Sequence, residues 1–286
     1  MLKRALNSVM NQTYQDFDVL VVDNDGTDKH IRALVESFPG NKIQYLIQPE
    51  KGVSAARNMG IENASSELIV FLDDDDMLDK NALREYTGFM LNDGHMVDSF
   101  AWSSQIKYQY AADGKEIECG RFKLLDADIR DKSFILKTGA GGLCVSKPDL
   151  ISVGCFDMSY KLSEDRDLIL KLLAKGKKFR QLDRLVYKRF YHNNERLSDG
   201  SSAIEEAEHD ARLYNNHRAF IEGYPALKLR LMDVMAQHYF NGGKRNKAIE
   251  IAYAAWKAQP LRLKSIRRLI KYRLKSISAR TGPENA

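Results

Sequence analysis

Short apolar runs alternate with amphipathic stretches over the first 92 residues, and this alternation limits the fold more than any other feature. The apolar runs DVLVVD, IQYLI and ELIVFL occupy residues 18–23, 43–47 and 67–72. Each is continuous and rich in β-branched residues, as strands buried in a parallel sheet are. The stretches that follow them have helical spacing, at roughly 27–38, 53–64 and 79–92. The order predicts an α/β fold with a doubly wound sheet.

The rest of the chain changes character near Gly200. A long strand is expected at about 96–110, and SEDRDLILKLLAKG at 163–176 has the apolar stripe of a helix. Beyond Gly200 the pattern is helical throughout, at about 203–221, 226–241, 244–258 and 261–278. We therefore predict an α/β domain over residues 1–200 and an all-helical extension over residues 201–286.

Composition is that of a globular protein with an uneven charge. Residues 201–286 carry 16 Lys and Arg against 8 Asp and Glu, while residues 1–200 carry 28 against 31. The three cysteines show no CxxC spacing, which favours a reducing compartment. The sequence shows no secretory signal and no apolar run long enough to span a bilayer. These features favour a cytoplasmic protein.

The segment FLDDDDML at 71–78 places four carboxylates directly after an apolar run. Carboxylates this close repel one another unless a cation lies among them. If the strand continues through them, Asp73 and Asp75 point to one side and Asp74 and Asp76 to the other. Such a pair is suited to Mg²⁺ or Mn²⁺, which prefer oxygen ligands. The alternative is a solvated acidic turn that stabilises the start of the next helix.

Four segments then occur in a fixed order. They are LKRALNSVMNQTYQDFDVLVVDNDGTD at 2–28, KGVSAARNMGIENA at 51–64, FLDDDD at 71–76 and LSEDRDLILKL at 162–172. In this order and spacing, the sequence resembles the family-2 nucleotide-sugar glycosyltransferases of GT-A fold, over about residues 2–200. The resemblance implies a mixed, doubly wound GT-A-like sheet with a Rossmann-like nucleotide-binding half, and it implies an enzyme.

The resemblance also assigns residues on the donor side of the site. Asp23 matches the residue that binds the nucleotide base, and Arg57 matches an arginine near the nucleotide. Asp73 is expected toward the ribose and Asp75 toward a metal on the diphosphate, with Asp74 beside them. The open alternatives are a strand-end turn for Asp23 and a surface charge for Arg57.

A glycine pair and a second carboxylate complete that assignment. Gly141 and Gly142 match glycines that let the backbone approach the sugar, the alternative being a tight turn. Asp76 is expected to support the metal ligands from behind.

The acceptor side is assigned to the SEDRD segment. Asp165 matches the family's catalytic base, and Glu164 is either its helper or the base itself. Taken alone, two carboxylates at this place more often stabilise a helix start than act in catalysis. His192 matches a histidine that reaches the diphosphate or the metal, although a lone histidine is more often structural.

The function implied is an inverting transfer of a sugar from a nucleotide-sugar. A UDP-sugar is the donor implied, with Mn²⁺ or Mg²⁺, and a bacterial cell-envelope or capsular saccharide or lipid-linked acceptor. One rival is an aspartyl-phosphate phosphatase, which also uses a strand followed by DxD, but its GDxxxD motif is missing from the sequence. Another is a non-catalytic relative that binds a nucleotide or a partner. A P-loop nucleotidase is excluded because there is no GxxxxGK[ST].

The last predicted helix is basic and amphipathic. One face carries the apolar residues Leu263, Ile266, Ile270, Leu274 and Ile277, and another carries Lys264, Arg268, Lys271 and Lys275. Such a helix is typical of elements that lie on an anionic membrane surface, which would place the protein on the inner face of the plasma membrane. The alternative is a helix packed on the domain with its basic face in water. No nucleic-acid partner is expected.

The start of the sequence departs from the family pattern. In the family, a strand of the type VSVIIPTYN precedes the helix that here reads LKRALNSVMNQTY, whereas this chain begins within that helix. A missing central strand leaves neighbouring backbone groups unpaired. Three alternatives are open: the sequence is a fragment, another element or chain fills the gap, or the protein is a non-catalytic relative. The fragment is favoured, and it is expected to bind UDP weakly and to have low stability until an apolar strand is added at its N-terminus.

Overall fold

The computed structural model of the protein describes residues 1–24, 26–92, 96–111, 115–191 and 202–278. The chain divides into two compact units, one of residues 1–129 and 137–194, the other of residues 130–136 and 195–286. The short segment 130–136 belongs to the second unit, where Asp131 pairs with Arg230 at 3.5 Å. No helical periodicity in the sequence indicated this part of the second unit.

The described residues of the first unit form helices and strands that follow the predicted order. They are α1 (Leu2–Met10), β1 (Val19–Asp23), α2 (Lys29–Glu36), β2 (Ile43–Ile47), α3 (Val53–Asn63), β3 (Leu68–Val70), β4 (Met77–Leu78), α4 (Ala82–Thr87), a π-helical turn (Gly88–Asn92), β5 (Ser99–Tyr110), β6 (Glu116–Phe122), α5 (Asp126–Arg130), β7 (Leu143–Ser146), α6 (Lys147–Ser152), α7 (Glu164–Ala174) and β8 (Lys178–Tyr191). Strand β3 ends at Val70, two residues earlier than predicted.

These strands form two sheets. β1 and β2 pair in parallel as a two-stranded sheet, with Asp23 opposite Ile47. The larger sheet has the order β3-β7-β5-β8-β4, and β6 pairs with β5. β5 and β8 are parallel, and the other pairs in the larger sheet are antiparallel. The mixed sheet that the family resemblance implied is therefore confirmed, although β3 joins it antiparallel to β7.

Strand β5 is the centre of the larger sheet even though its sequence is not continuously apolar. Its first seven residues, SFAWSSQ, are all buried. The polar ones are accommodated by hydrogen bonds, since the Tyr86 hydroxyl lies 2.7 Å from Ser103 Oγ and 2.8 Å from the Gly142 carbonyl oxygen. The pairing of β5 with β8 shifts register between Ser103 and Gln105, beside this glycine. The shift marks where the sheet meets the loop that precedes β7.

The core of the first unit joins α1 and α4 to this sheet. Its buried members are Val9, Leu78, Ala82, Tyr86, Met90, Ala101, Cys144, Leu182, Val186 and Tyr187. Leu68, Val70 and Val19 pack against the same cluster while remaining partly accessible. The deepest burial thus lies under the larger sheet rather than under the pair β1 and β2.

The second unit is helical in its described part, as predicted. Its helices are α8 (Ala203–Asn216), α9 (Arg218–Glu222), α10 (Pro225–Asn241), α11 (Arg245–Ala258) and α12 (Leu263–Ser278). The expected helix at 203–221 is interrupted at His217. The Ser202 side chain accepts a hydrogen bond from Glu205 N at 3.2 Å, and together the two residues form a capping box at the start of α8.

The core of this unit contains Ala207, Ala236, Tyr239, Ala248, Ala252 and Tyr272. Phe240 stacks on Tyr272 at 4.3 Å between ring centroids, which attaches α12 to α10. Among the described residues of either unit, no helix is both long and apolar enough to cross a membrane.

Candidate functional site

The four aspartates form a turn rather than the end of an extended strand. Asp76 N donates a hydrogen bond to the Asp73 carbonyl oxygen at 3.2 Å, which closes the turn. The expectation that the four side chains alternate between two sides was therefore wrong, because β3 ends before they begin. Their exposure differs instead: Asp76 is buried, Asp74 is exposed, and Asp73 and Asp75 lie between these extremes.

Asp76 anchors this turn, hereafter the aspartate turn (residues 73–76), to the core. Its Oδ2 accepts a hydrogen bond from the Tyr187 hydroxyl at 2.7 Å, and its Oδ1 accepts one from Phe190 N at 2.8 Å. Burial raises the pKa of Asp76 to about 7, while the two hydrogen bonds act in the opposite direction. Asp73 N also donates to the Tyr187 hydroxyl, at 3.4 Å. One tyrosine on β8 thus contacts both ends of the turn.

Arg4 on α1 holds the same turn from a second direction. Its guanidinium donates to the Asp75 carbonyl oxygen and forms an ion pair with Glu116 at 3.1 Å. The guanidinium carbon also lies 3.7 Å from the centre of the Phe190 ring, a cation–π contact. The backbone of the turn is therefore fixed by α1 and β8 together, and the carboxylates of Asp73 and Asp75 are presented on a rigid support.

Arg57 on α3 joins two of the predicted motifs. Its Nη2 lies 3.2 Å from Asp73 Oδ1, and its Nη1 lies 2.8 Å from Glu164 Oε1. Burial alone would lower the pKa of Arg57, but the carboxylates of Asp73 and Glu164 outweigh it and the pKa is raised. The structure therefore brings Arg57, Asp73 and Glu164 together. A surface charge on a helix, which was the alternative for Arg57, would not make these two contacts.

The next residue of α3 explains why these motifs meet. Asn58 Nδ2 donates to the Phe156 carbonyl oxygen at 2.8 Å, and Phe156 N donates back to Asn58 Oδ1 at 2.9 Å. The Arg57 guanidinium carbon lies 5.3 Å from the centre of the Phe156 ring. These contacts fasten α3 to the segment that leads into α7, where Glu164 and Asp165 begin the helix.

Glu164 and Asp165 occupy different environments. The Glu164 side chain is 12% exposed, and burial followed by repulsion from Asp165 raises its pKa. Asp165 Oδ1 accepts a hydrogen bond from Arg166 N at 2.7 Å. Its Oδ2 would lie 3.0 Å from a Cβ on Gly139, so this carboxylate borders the glycine-rich loop at 139–142. Ser163 precedes the helix with a φ of 66° and makes no side-chain capping bond.

The glycine pair lies against the aspartate turn. A Cβ on Gly141 would lie 2.5 Å from Tyr187 Oη and 2.9 Å from Asp73 Oδ2, so no other residue fits without displacement. The Gly141 carbonyl oxygen accepts hydrogen bonds from Trp102 Nε1 at 3.0 Å and Gln105 Nε2 at 3.2 Å. Gly142 has a φ of +81°, which favours glycine. Both glycines are therefore required by the packing of the site itself.

Asp23 lies at the end of β1 within its own local network. Its Oδ2 accepts a hydrogen bond from the Tyr45 hydroxyl at 2.6 Å, and its Oδ1 accepts one from Gly26 N at 3.1 Å. Asn24 Oδ1 accepts from Gly52 N at 2.9 Å, which ties the end of β1 to the start of α3. The role of Asp23 toward a nucleotide base stays a prediction. Asp25 and His192 lie outside the described residues.

The fit of a divalent metal depends on the aspartate turn. Within the described ranges, no group of three or more His, Cys, Asp or Glu residues is arranged to hold a metal ion. Asp73 and Asp75 offer two hard oxygen donors, and partial desolvation followed by the charges of Asp75 and Asp73 raises the pKa of Asp74. This concentration of negative charge suits a cation, but a bound ligand would have to complete the coordination.

Sequence reasoning did not identify several residues that shape the site. Arg4, Trp102, Gln105 and Tyr187 hold the backbone or side chains of predicted residues, and Asn58 holds Phe156 on the segment that leads to Glu164. Arg4 and Asn58 lie in the motif segments at 2–28 and 51–64. The contacts of all five join residues distant in sequence, and no local pattern marks them.

The family is shown by a sequence comparison. A family model described as glycosyl transferase family 2 matches residues 1–144, just over half of the 286 residues. The minor teichoic acid biosynthesis protein GgaB of Bacillus subtilis is 27% identical over 223 residues, which cover 75% of this chain and 24% of GgaB. A second relative is the Escherichia coli UDP-Glc:alpha-D-GlcNAc-diphosphoundecaprenol beta-1,3-glucosyltransferase WfgD. It is 35% identical over 91 residues, covering 32% of this chain and 36% of WfgD.

The chain therefore spans about a quarter of GgaB and about a third of WfgD. Among solved structures, residues 1–349 of S. aureus TarS in complex with UDP-GlcNAc are similar in fold, with a TM-score of 0.60 at 17% identity. That likeness covers 97% of this chain and 88% of the TarS chain, and it confirms the predicted fold class. By the match to more than half of its residues, the chain belongs to glycosyl transferase family 2, as the order of its motifs predicted.

Proposed function

We propose that this protein is an inverting glycosyltransferase that moves a sugar from a UDP-sugar to a saccharide or lipid-linked acceptor in cell-envelope or capsular polysaccharide synthesis. One observation carries the proposal. Arg57 joins Asp73 of FLDDDD to Glu164 of SEDRD, so that the motifs for donor and acceptor meet at one guanidinium. The relatives support the substrate classes, because TarS was solved with UDP-GlcNAc and WfgD is named for a UDP-glucose donor and a diphosphoundecaprenol-linked acceptor.

On the donor side, the aspartate turn binds the nucleotide-sugar. Asp73 and Asp75 would hold Mn²⁺ or Mg²⁺, which when bound neutralises charge on the departing diphosphate. Asp73 is also assigned to contact the ribose, with Asp74 beside it. Asp23 is assigned to bind the nucleotide base. Arg57 adds a permanent positive charge next to Asp73. Because Gly141 and Gly142 carry no side chain, their loop packs closely against Asp73 and Tyr187, and the backbone of this loop is assigned to contact the sugar.

On the acceptor side, Asp165 is the base that removes the proton of the attacking hydroxyl. Glu164 is less suited to this role, because its Oε1 is engaged by Arg57 at 2.8 Å and its side chain is largely buried. Asp165 instead borders the loop of Gly139, close to the glycine pair. Attack on the anomeric carbon opposite the leaving diphosphate inverts its configuration in a single step, with no covalent intermediate.

The test of this assignment is Asp165→Asn, which keeps the size of the side chain and removes the base. Transfer from a UDP-sugar is expected to fall by about 10² or more, while the affinity for UDP stays within a factor of about two. Transfer is measured as UDP release with a lipid-diphosphate-linked saccharide as acceptor, and affinity is measured by calorimetric titration.

Two variants serve as controls for that experiment. Asp183→Asn changes an aspartate whose side chain is 67% exposed and is expected to leave both quantities unchanged. Glu164→Gln tests the neighbouring carboxylate. Normal turnover in Asp165→Asn together with a large loss in Glu164→Gln would move the base to Glu164, and normal turnover in both would reject the acceptor-side assignment.

The place of action forms part of the same proposal. Lipid-linked acceptors reside in a membrane, so the protein is proposed to work at the inner face of the plasma membrane as a peripheral protein. The basic C-terminal region supports this location, because residues 251–283 contain no Asp or Glu.

A further inference from the structure

Helix α12 exposes an apolar stripe to solvent. Leu263, Ile270 and Leu274 are 66%, 53% and 61% exposed. At 3.6 residues per turn they fall within about 40° of one another around the helix axis. They therefore lie on one side of the helix, hereafter the outer stripe (Leu263, Ile270 and Leu274), with the exposed Arg267 between Leu263 and Ile270 along the axis.

The outer stripe is not the face by which α12 packs on its own unit. Tyr272 and Ser265 are fully buried, and Leu269 packs against the same core. Tyr272 lies about 180° around the axis from Leu263, so the packed face and the outer stripe are opposite. A helix packed on a domain normally turns its polar side to water. Here the side turned to water carries three large apolar side chains among its polar ones, which a purely packed helix does not explain.

Positive charge flanks the outer stripe. Lys264, Arg267, Lys271 and Arg273 are all exposed. Arg267, Lys271 and Lys264 follow one side of the stripe, and Arg273 lies on the other side at the same helical spacing.

The structure corrects the predicted basic face in one respect. Arg268 turns inward and pairs with the buried Asp233 at 2.7 Å, alongside Arg262 at 3.0 Å. The side chains of Lys275 and Ile277 lie outside the described part of the chain. Lys264 also lies 3.5 Å from Asp233 Oδ2, although its side chain is 61% exposed. The basic surface available to a partner is therefore formed mainly by Arg267, Lys271 and Arg273.

We propose that the outer stripe and its flanking cations bind an anionic lipid surface, with α12 lying in the plane of the interface. This inference deepens the proposed function and rests on it for the location at a membrane. Apolar residues enter the boundary between headgroups and acyl chains, and the flanking Lys and Arg bind anionic headgroups. The charge pattern selects this occupant, because exposed cations on both sides of an apolar row disfavour contact with an identical row of a second copy.

The experiment uses the full chain and sucrose-loaded vesicles of phosphatidylcholine, with or without phosphatidylglycerol. Sedimentation with the anionic vesicles is expected at low salt and should weaken at high salt, because screening shortens the reach of the headgroup charge. The stripe variant combines Leu263→Gln, Ile270→Gln and Leu274→Gln. Its partition coefficient is expected to fall by about tenfold or more, since the inserted apolar area is lost.

Matched controls distinguish binding by this surface from nonspecific hydrophobic binding. One control combines Leu125→Gln, Ile151→Gln and Met158→Gln, whose side chains are 66%, 57% and 55% exposed in the first unit. It should bind vesicles as the wild type does.

Charge is tested by a second pair of variants. Arg267→Glu, Lys271→Glu and Arg273→Glu together should abolish binding to the anionic vesicles. The same charge change at the exposed Lys29, Lys175 and Lys257 should reduce binding far less.

Three results would overturn the inference. They are equal binding to neutral and anionic vesicles, equal loss in the stripe variant and its control, and a dimer in solution that only the stripe variant abolishes. UDP affinity is measured on the same samples and is expected to be unchanged in all variants. A wild type that binds UDP but no vesicles rejects only this inference, whereas a wild type that binds vesicles but no UDP rejects the proposed function.

Discussion

Two tyrosine–aspartate hydrogen bonds in the first unit have nearly the same geometry and different surroundings. Tyr187 donates to Asp76 at 2.7 Å across 111 residues of sequence, and Tyr45 donates to Asp23 at 2.6 Å across 22 residues. The first pair connects β8 to the aspartate turn. The second connects β2 to the end of its partner strand β1.

Burial of the tyrosine distinguishes the two pairs, since both aspartates are buried. Tyr187 is fully buried within the core cluster, whereas Tyr45 lies on a two-stranded sheet and is partly accessible. Burial is the main cause that raises the pKa of Asp76 to about 7. For Tyr45, the hydrogen bond to Asp23 is the main cause that raises the pKa to about 12. The Tyr187–Asp76 hydrogen bond is therefore part of the core, whereas the Tyr45–Asp23 hydrogen bond is a local contact between two neighbouring strands.

The larger effect is expected from Tyr187→Phe. Removing this hydroxyl leaves the buried Asp76 with one donor fewer, and such a loss costs about 1 to 3 kcal/mol of unfolding free energy. The measurement is urea denaturation of the wild type and the variant without metal. Because the hydroxyl also contacts Asp73 N, the stabilisation by UDP and Mn²⁺ should weaken in the same variant. A loss no greater than that of Tyr45→Phe would contradict the distinction drawn from burial.

The smaller effect is expected from Tyr45→Phe. Asp23 keeps the hydrogen bond from Gly26 N, and water can replace the lost hydroxyl at a partly accessible position. The unfolding free energy should therefore fall by about 0.5 to 1 kcal/mol, measured by the same denaturation. Ultraviolet titration should also show one phenol fewer with a pKa of about 12. A larger destabilisation than in Tyr187→Phe would mean that the two-stranded sheet carries more of the fold than its burial indicates.

Local sequence pattern predicted the elements whose formation depends on residues close together in the sequence. The runs that became β1 and β2 were placed correctly because apolar, β-branched segments favour strands, although both strands are mostly only partly buried and not fully buried as expected. A long strand was expected where β5 lies, but the burial of its first half was not expected. Serines and a glutamine lie in its buried half, and contacts such as Tyr86 with Ser103 and Gln105 with Gly141 compensate them. Those partners are set by tertiary structure.

The candidate site was predictable in its residue types and less so in its geometry. The resemblance selected Arg57, Asp73 and Glu164, and the structure places them in contact. The resemblance carried no information on the residues that hold the aspartate turn in place. Arg4 and Tyr187 both contact this turn, but they lie near opposite ends of the first unit in sequence. The turn itself was misjudged, since four polar residues after a strand fit an extended end and a turn equally well in sequence.

The central claim is that the aspartate turn binds a nucleoside diphosphate together with a divalent ion, and thermal unfolding tests it most directly. UDP should raise the melting temperature of the wild type clearly with Mn²⁺ and much less without it, since a ligand of the native state stabilises it. In Asp75→Ala the difference between the two conditions should disappear, while the exposed-site variant Asp183→Asn keeps it. An unchanged dependence on Mn²⁺ in Asp75→Ala, or no response of the wild type to UDP, would contradict the account.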